Sequence, residues 1–230
     1  MAANDVLVLN ALYEQLLNRP IDAAGLNLYL PELAAGDSFE TIALAIEGTD
    51  EYAQDEVNRW YETYLGRPAD TAGLNNFSHQ LETGTPSPTV QAAILGSPEF
   101  FNLAGGTDSG FVTLLFQDLL GRTPNPTELS GDVNELEEGE TPREFATVVL
   151  GSQEYAQDEV NQWYETYLGR PADPQGLSFF SNELVTGTSP QTVQAAILGS
   201  MEFVQKATSG GSYTLTSGSV SGMRWAPGLL

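Results

Sequence analysis

The sequence contains no cysteine, and His79 is its only histidine. The first absence excludes disulfide bonds, thiolate zinc sites and cysteine nucleophiles. The second leaves no histidine cluster for a metal ion, and we expect His79 on the solvent side of a helix. Patterns typical of serine hydrolases, zinc proteases and nucleotide-binding loops are also missing. Two catalytic carboxylates remain an alternative in so acidic a chain, although no one pair stands out. We predict no catalytic residues, no resident metal or cofactor and no enzymatic activity.

Basic residues are scarce. The chain has 8 lysines and arginines against 31 aspartates and glutamates, which gives a net charge of −23. A surface of this sign repels nucleic acid and anionic membranes, so we predict neither as a partner. Lys206 is the only lysine. An acid-rich, lysine-poor surface suits a salty or extracellular setting, and it equally serves to keep a protein soluble.

Long apolar runs are missing as well. No stretch approaches the roughly 18 consecutive apolar residues of a membrane-spanning helix, so we predict no membrane insertion. Apolar residues still make up 41% of the chain, which is enough for a packed core. The start, MAANDVLVLNALYEQLLN, lacks a basic region and contains early acids, unlike a conventional signal peptide. The chain is then either not exported, exported by a route that needs no N-terminal signal, or a form from which the signal is missing.

One segment of the sequence occurs twice. EYAQDEVNRWYETYLGRPAD at 51–70 recurs at 154–173 with a single change, Arg59 to Gln162. A longer pattern around it occurs four times, and we number these repeats 1 to 4 by their arginines, Arg19, Arg67, Arg122 and Arg170. Three positions after each arginine stand Asp22, Asp70, Asn125 and Asp173. Thirty-two positions after each arginine stand Glu51, Glu99, Glu154 and Glu202.

Each repeat has the pattern of three helices. The first helix carries a buried stripe with helical spacing, as in Val57, Trp60, Tyr61, Tyr64 and Leu65. Glycine and proline around the arginine end that helix, and the Asp that follows caps the second helix. A glycine ends the second helix, and Ser or Thr before proline starts the third. The third helix, VQAAILGS in repeats 2 and 4, is small and apolar, which suits close packing.

The spacing of the arginines divides the chain. The step from Arg67 to Arg122 is longer than the other two steps, which are equal. We predict an all-α fold of four tandem three-helix repeats, arranged as two duplicated pairs and followed by an extended or strand-like C-terminal arm. The predicted boundaries are 1–103 for the first pair, 104–110 for a linker, 111–206 for the second pair and 207–230 for the arm.

The repeated polar residues have a structural and a functional interpretation. The structural one pairs each arginine with the glutamate thirty-two residues later, and uses the Asp as a helix cap. The functional one makes the arginine an anion site and the Asp a metal ligand. We favour the structural interpretation, because arginine and glutamate recur together in every repeat. EYAQDEV lacks the EF-hand pattern, and a calcium site there stays open as an alternative. In repeat 3 Glu128 replaces a glycine, which indicates that close backbone approach is not needed there.

The stretch YLGRPADTAGLNNFSHQLETGTPSPTVQAAILGSPEF resembles a bacterial domain-of-unknown-function family that recurs in secreted, surface-layer and repeat-in-toxin type proteins. It is also distantly similar to the phycobilisome linker domain. The matching residues are Arg67, Pro68, Asp70, Gly73, Leu74 and Glu99, and again Arg170, Pro171, Asp173, Gly176, Leu177 and Glu202. The resemblance extends over the four repeats and implies an assembly or surface module, extracellular or at the cell surface. Phycobilisome linkers tend to be basic, so the acidic charge of this chain counts against that specific role.

The sequence changes character after Glu202. VQKATSGGSYTLTSGSVSGMRWAPGLL contains no acid, holds Lys206 and Arg224, and is rich in Ser, Thr and Gly, which indicates an extended or strand-like arm. A frayed terminus is one interpretation. The other is a docking arm that binds an acidic partner surface and adds to a sheet edge. The docking residues would be Tyr213, Leu215, Val220, Arg224 and Trp225.

These observations lead to three hypotheses of function. The first is a non-catalytic structural protein of a bacterial surface layer, extracellular filament or similar polymer, whose arm docks on a neighbouring copy and gives a homo-oligomer or polymer. The second is a surface module that binds a ligand, a glycan or calcium. The third is a component of a larger particle, such as a phage virion or a phycobilisome-linker-like assembly. We favour the first because of the repeats, the missing chemistry and the oppositely charged arm.

Overall fold

The chain is helical throughout its described part. A computed structural model describes residues 2–210. Over this range the chain forms fourteen α-helices and two short π-helical segments, and it contains no strand. The α-helices are α1 Ala2–Leu17, α2 Ala23–Ala35, α3 Phe39–Glu47, α4 Asp50–Trp60, α5 Thr71–Glu82, α6 Ser87–Leu95, α7 Pro98–Leu103, α8 Asp108–Leu120, α9 Pro126–Glu137, α10 Pro142–Leu150, α11 Gln153–Trp163, α12 Pro174–Val185, α13 Pro190–Leu198 and α14 Met201–Thr208. The π-helical segments Tyr61–Leu65 and Tyr164–Leu168 continue α4 and α11. The predicted all-α fold is confirmed for residues 2–210.

The ends of the second helices follow local rules. The side chains of Asp22, Asp70, Asn125 and Asp173 accept backbone N–H groups from the first turn of α2, α5, α9 and α12. Past the other end of these helices stand Gly36, Gly84, Gly139 and Gly187, with φ values of 112°, 90°, 115° and 102°. Glycine adopts this left-handed conformation without steric cost, so these glycines stop the helices as the sequence predicts.

The third helix of repeat 2 begins at the serine before proline, as the sequence predicts, but its cap differs from those of repeats 3 and 4. Thr141 and Ser189 cap the third helices of repeats 3 and 4. Ser87 is the first residue of α6 and is buried. The carbonyl of Pro86 already accepts the N–H groups of Thr89 and Val90, so Pro86 holds the cap position.

The third helices pair in an order that the sequence does not predict. α3 of repeat 1 packs against α13 of repeat 4, and α6 of repeat 2 packs against α10 of repeat 3. The described chain accordingly divides into a terminal unit, 2–55 with 157–210, and a central unit, 56–156. The predicted pairs 1–103 and 111–206 therefore do not coincide with the compact units. The small side chains of α6 and α13 allow close packing against another third helix, but they do not select the partner.

Each unit has its own apolar core. Buried side chains of the terminal unit include Leu12, Ile42, Trp163, Ile197 and Phe203. Buried side chains of the central unit include Trp60, Leu95, Phe100, Phe111 and Leu115. One tryptophan therefore lies in each core, so each unit can be followed by fluorescence in a variant that keeps only its own tryptophan.

The predicted linker and arm have different outcomes. Residues 104–110 belong to the central unit, where Gly105 and Gly106 turn the chain and Thr107 caps α8. At the C-terminus, α14 continues to Thr208, two residues into the predicted arm. Residues 211–230 lie outside the described residues. Within residues 2–210, no helix is long and apolar enough to cross a membrane.

Candidate functional site at the arginine turns

The repeated arginine lies in a tight turn between the first and second helix of each repeat. We call these turns the arginine turns; they comprise residues 18–22, 66–70, 121–125 and 169–173. Each begins with a left-handed residue, and these are Asn18, Gly66, Gly121 and Gly169, with φ values of 49°, 68°, 62° and 77°. Asn18 replaces glycine in repeat 1, because asparagine tolerates this conformation better than most residues.

Each arginine binds the glutamate that stands thirty-two residues later. The guanidinium donates from Nε to one carboxylate oxygen and from Nη2 to the other, a bidentate geometry. The Nη2–Oε2 distances in repeats 1 to 4 are 2.8, 2.7, 2.8 and 2.7 Å. Hydrogen bonds from the arginine lower the pKa of Glu51, Glu99, Glu154 and Glu202. The ion pair links the turn to the helix that follows the third helix of the repeat.

An aromatic ring holds each guanidinium from a second side. The rings of Tyr13, Tyr61, Phe116 and Tyr164 lie 5.0, 5.2, 5.0 and 5.2 Å from the guanidinium carbon. At this separation the face of the ring attracts the cation. The apolar stripe predicted only a core role for Tyr61 and Tyr164, and this contact was missed. The signal was present, because an aromatic residue stands six positions before every arginine.

The carbonyl of the residue after each arginine completes the set. It accepts a hydrogen bond from Nη1 at 3.3, 3.1, 3.4 and 3.0 Å in repeats 1 to 4. The Asp three positions after the arginine is engaged as a helix cap, and its backbone hydrogen bonds lower the pKa of Asp22, Asp70 and Asp173. Arginine, glutamate and aspartate thus bind one another and the backbone.

Glycines of the second helices touch the tyrosine hydroxyls. A Cβ atom built on Gly25, Gly73 or Gly176 would lie 2.5, 2.3 or 2.5 Å from the hydroxyl of Tyr13, Tyr61 or Tyr164. Such a distance requires something to shift, so these three positions need glycine.

Repeat 3 avoids this clash through a second change. Phe116 has no hydroxyl, and Glu128 occupies the space where the other repeats require glycine. The Glu128 carboxylate accepts two hydrogen bonds from Arg122, both at 3.0 Å, and one from the backbone N–H of Asn125 at 2.7 Å. Close backbone approach is not needed in repeat 3, as the sequence indicated, and the missing hydroxyl is the reason.

A part-buried asparagine contact supports the turn in three repeats. The side-chain oxygens of Asn10, Asn58 and Asn161 accept the backbone N–H two residues after the arginine, at 3.1, 3.3 and 3.2 Å. In repeat 3 that residue is Pro124, which has no N–H, and the asparagine is replaced by Thr113. This second matched change was not predicted from the sequence.

Two further buried polar groups distinguish the repeats. Gln91 donates to the hydroxyl of Tyr64 at 3.2 Å, and the hydroxyl of Tyr167 donates to Gln194 at 3.1 Å. These pairs occur in repeats 2 and 4, whereas repeats 1 and 3 have alanine and leucine at the two positions.

Glu47 at the end of α3 is buried, and neither of its carboxylate oxygens has a hydrogen-bond partner. Burial raises the pKa of Glu47 well above its ordinary value. The corresponding residues of the other repeats are Leu95, Leu150 and Leu198.

The remaining residues singled out by sequence lie apart from the turns. The His79 side chain is 73% exposed, and its Nδ1 lies 3.7 Å from the Glu82 carboxylate, as expected of a surface residue. Lys206 lies on α14 and donates to the Tyr167 carbonyl at 3.0 Å, so it belongs to the helical body. The docking residues Tyr213, Leu215, Val220, Arg224 and Trp225 lie outside the described residues.

No site for a metal ion emerges from residues 2–210. Over that range, no group of three or more histidine, aspartate or glutamate side chains has a geometry that would hold one. A shallow hollow lined by Glu135, Glu138, Glu140 and Glu144 is open to solvent. Burial and the neighbouring carboxylates of Glu135 and Glu144 raise the pKa of Glu140, which indicates mutual repulsion of these groups.

Comparison with known proteins links part of the chain to a family. Residues 91–159 match the model of a family described as a domain of unknown function (DUF4214). The matched segment contains the arginine turn of repeat 3 together with Glu154. No curated protein matched the chain, and no solved structure matched it. The family description states no activity.

Proposed function

We propose that this chain is a non-catalytic structural protein, built from four copies of one three-helix module in two duplicated pairs, that assembles with further copies of itself. The assembly is a bacterial surface layer, an extracellular filament or a similar polymer. One observation carries the proposal. In all four repeats, the arginine, the glutamate and the aromatic ring bind one another, and these are the residues that an anion or substrate site would need.

Because these side chains already bind one another, they indicate that the module is a structural building block. An arginine that serves as a ligand site keeps donors for the ligand, whereas each of these guanidinium groups is bound by a carboxylate, a carbonyl and a ring. Repeating the module therefore lengthens a structural scaffold and does not multiply catalytic sites. Helical repeat proteins with such modules serve as scaffolds and binding surfaces.

The predicted arm supplies the contact between copies in this proposal. All 31 acidic residues precede residue 203, and Arg224 is the only charged residue in 211–230. The acidic surface of one copy and the arm of another therefore attract each other, and the attraction weakens as salt screens it. Trp225 and Tyr213 are suited to act as apolar anchors.

A truncation tests the proposal. The full chain and a chain that ends at Gly210 are compared by light scattering and electron microscopy at low and high salt, with and without calcium. Circular dichroism of both chains controls for the helical fold. We expect ordered polymers of the full chain, weaker at high salt, and none of the truncated chain. A full-length variant with Tyr213→Ala and Trp225→Ala separates loss of the anchors from loss of length.

Other outcomes point to the other hypotheses. Assembly that survives truncation contradicts the role of the arm. A monomer under every condition contradicts self-assembly and favours a foreign partner, as a ligand-binding surface module or a particle component would have. Thermal stabilisation by calcium that a chelator reverses would favour the calcium-binding alternative.

A further inference from the structure

The terminal unit is built from the two ends of the chain. Its N-terminal part contributes α3 and its C-terminal part contributes α13, and these helices form its central pairing. The central unit, in contrast, is built from one continuous stretch, with α6 and α10 as its pairing. Separating α3 from α13 therefore requires no break in the central unit.

The two pairings have the same register. A Cβ atom on Gly199 would lie 2.6 Å from the Cβ of Glu40, and a Cβ atom on Gly96 would lie 2.6 Å from the Cβ of Arg143. Gly199 and Gly96 stand at the same position of repeats 4 and 2, as Glu40 and Arg143 do in repeats 1 and 3. The same interface, between the third helix of an odd repeat and that of an even repeat, therefore occurs twice in the chain, as α3·α13 and as α6·α10.

We propose that the α3·α13 interface also forms between two chains, so that the α3 face of one copy binds α13 of a second copy. This inference rests on the proposed function and names the surface and the partner. The C-terminal part of each chain then completes a terminal unit on the N-terminal part of the next. Such a head-to-tail contact gives rings where the rotation closes and open filaments where it does not.

The contacts are identical in the closed and the exchanged form. In the closed form α3 pairs with α13 of the same chain, which requires residues 2–55 and 157–210 to come together although residues 56–156 separate them in sequence. In the exchanged form α3 pairs with α13 of a second chain, which requires two chains to associate. The free-energy difference between the two forms is the difference between these two costs. A flexible connection gives an effective concentration in the millimolar range, and a poorly matched one gives less. Exchange between chains therefore grows with protein concentration.

The terminal unit also contains a weak point, a buried carboxyl group of which neither oxygen is hydrogen-bonded. In the central unit one oxygen of Asp132 has no hydrogen-bond partner, but that side chain is only half-buried. Glu47, a buried carboxyl group without hydrogen bonds, ends α3. Leu150 takes its place in α10 of the central unit. A buried polar group without a partner lowers stability, so we expect the terminal unit to open before the central one.

Co-capture of two chains tests the exchange. A tagged chain and an untagged chain are mixed at high concentration, warmed briefly below unfolding and captured through the tag, and we expect the untagged chain to be captured as well. Gly199→Val in both chains should reduce this co-capture several-fold, because a Cβ at this position lies 2.6 Å from the Glu40 Cβ in the α3·α13 interface. The matched control is Gly96→Val, whose Cβ meets Arg143 in the central unit, and it should leave co-capture unchanged. No co-capture of the native chains, or the same co-capture in both variants, would overturn the proposal.

A second measurement covers misfolding of the valine variants, because it uses the native chain. Sedimentation of the native chain is followed over a range of concentrations before and after warming, with circular dichroism as a check on helix content. We expect discrete oligomers of unchanged helicity that increase with concentration. Oligomers that lose helix content, or that do not increase with concentration, count against exchange.

The truncated chain separates this inference from the proposed function. Both α3 and α13 lie within residues 2–210, so tagged and untagged chains that end at Gly210 should still be captured together. Polymers of the full chain, with no co-capture of the truncated chains, would leave the proposed function intact and reject the exchange. Exchange in a chain that forms no polymers would reject the arm and keep the interface.

Discussion

Repeats 1 and 3 are the odd repeats of the two units, and they differ at three linked places. At the arginine turn, Tyr13 and Gly25 of repeat 1 correspond to Phe116 and Glu128 of repeat 3. Asn10 and the N–H of Ile21 correspond to Thr113 and Pro124, and buried Glu47 corresponds to Leu150. The first two differences are matched changes, in which both partners of a contact change together. The third is unmatched, because no residue of repeat 1 binds the Glu47 carboxylate.

The comparison teaches which contacts the module requires. The arginine, the glutamate thirty-two residues later and an aromatic ring are present in both repeats, with ring distances of 5.0 Å in each. The tyrosine hydroxyl and the glycine change together, and the asparagine changes together with the backbone N–H that it binds. The core of the turn is therefore the cation held between carboxylate and ring, and the other contacts are alternative ways to support it.

The largest expected effect comes from placing the glutamate of repeat 3 in repeat 1 while Tyr13 keeps its hydroxyl. In Gly25→Glu, the new Cβ meets the Tyr13 hydroxyl and Ile21. Overpacking of this kind costs about 3 kcal/mol in the terminal unit. The measurement is urea unfolding followed by Trp163, in a background where Trp60 and Trp225 are phenylalanine. Adding Tyr13→Phe should restore part of the loss, and two losses that simply add would contradict the matched-pair explanation.

The next effect concerns the unmatched residue. Glu47→Leu should stabilise the terminal unit by about 2 kcal/mol near neutral pH, because it removes a buried polar group without a partner. The pKa of Glu47 is raised above its ordinary value of 4.5, so the native protein gives up stability as pH rises from 4.5 through the raised pKa. The gain from the leucine should therefore be largest well above pH 4.5 and smallest below it.

A neutral variant separates charge from polarity at this position. Glu47→Gln should remove the pH dependence without reaching the stability of the leucine variant. Unfolding curves across this pH range, again read through Trp163, check both variants. A gain from leucine that is the same at every pH would mean that the pKa of Glu47 is equal in the native and the unfolded protein.

A smaller effect is expected at the supporting asparagine. Asn10→Ala leaves the half-buried N–H of Ile21 without its partner, which costs about 1 kcal/mol. Thr113→Ala in repeat 3 is the matched control, because Pro124 has no N–H to satisfy. We expect the control to cost a few tenths of that amount, measured in the central unit through Trp60. Equal losses at the two positions would show that the asparagine acts by packing alone.

The smallest effect is expected at Glu128. Glu128→Gln removes one carboxylate from Arg122, which retains Glu154. Because Arg122 lowers the pKa of Glu128, the contribution of this pair is present above pH 4.5 and disappears as pH falls through the lowered pKa. The loss in melting temperature should also shrink at high salt, since the pair is partly open to solvent. A loss that salt does not change would assign the role of Glu128 to the helix cap.

Local signals in the sequence predicted much of the fold and the roles of the motif residues. The Asp caps, the left-handed glycines and the Arg–Glu spacing were readable because each depends on residues close in the chain or on a recurring pair. The stacking of Arg67 on Tyr61 was missed, because a buried aromatic stripe explains the same letters.

The sequence by itself determined the helices, their ends and the arginine turns, since backbone sterics and neighbouring side chains settle these locally. Only the tertiary structure decided which third helices pair. Repeats 2 and 4 carry nearly the same third helix, VQAAILGS, so no local rule states whether α13 joins a neighbour or repeat 1 at the far end of the chain. Apolar burial is non-directional, and the partner follows from how the whole chain packs.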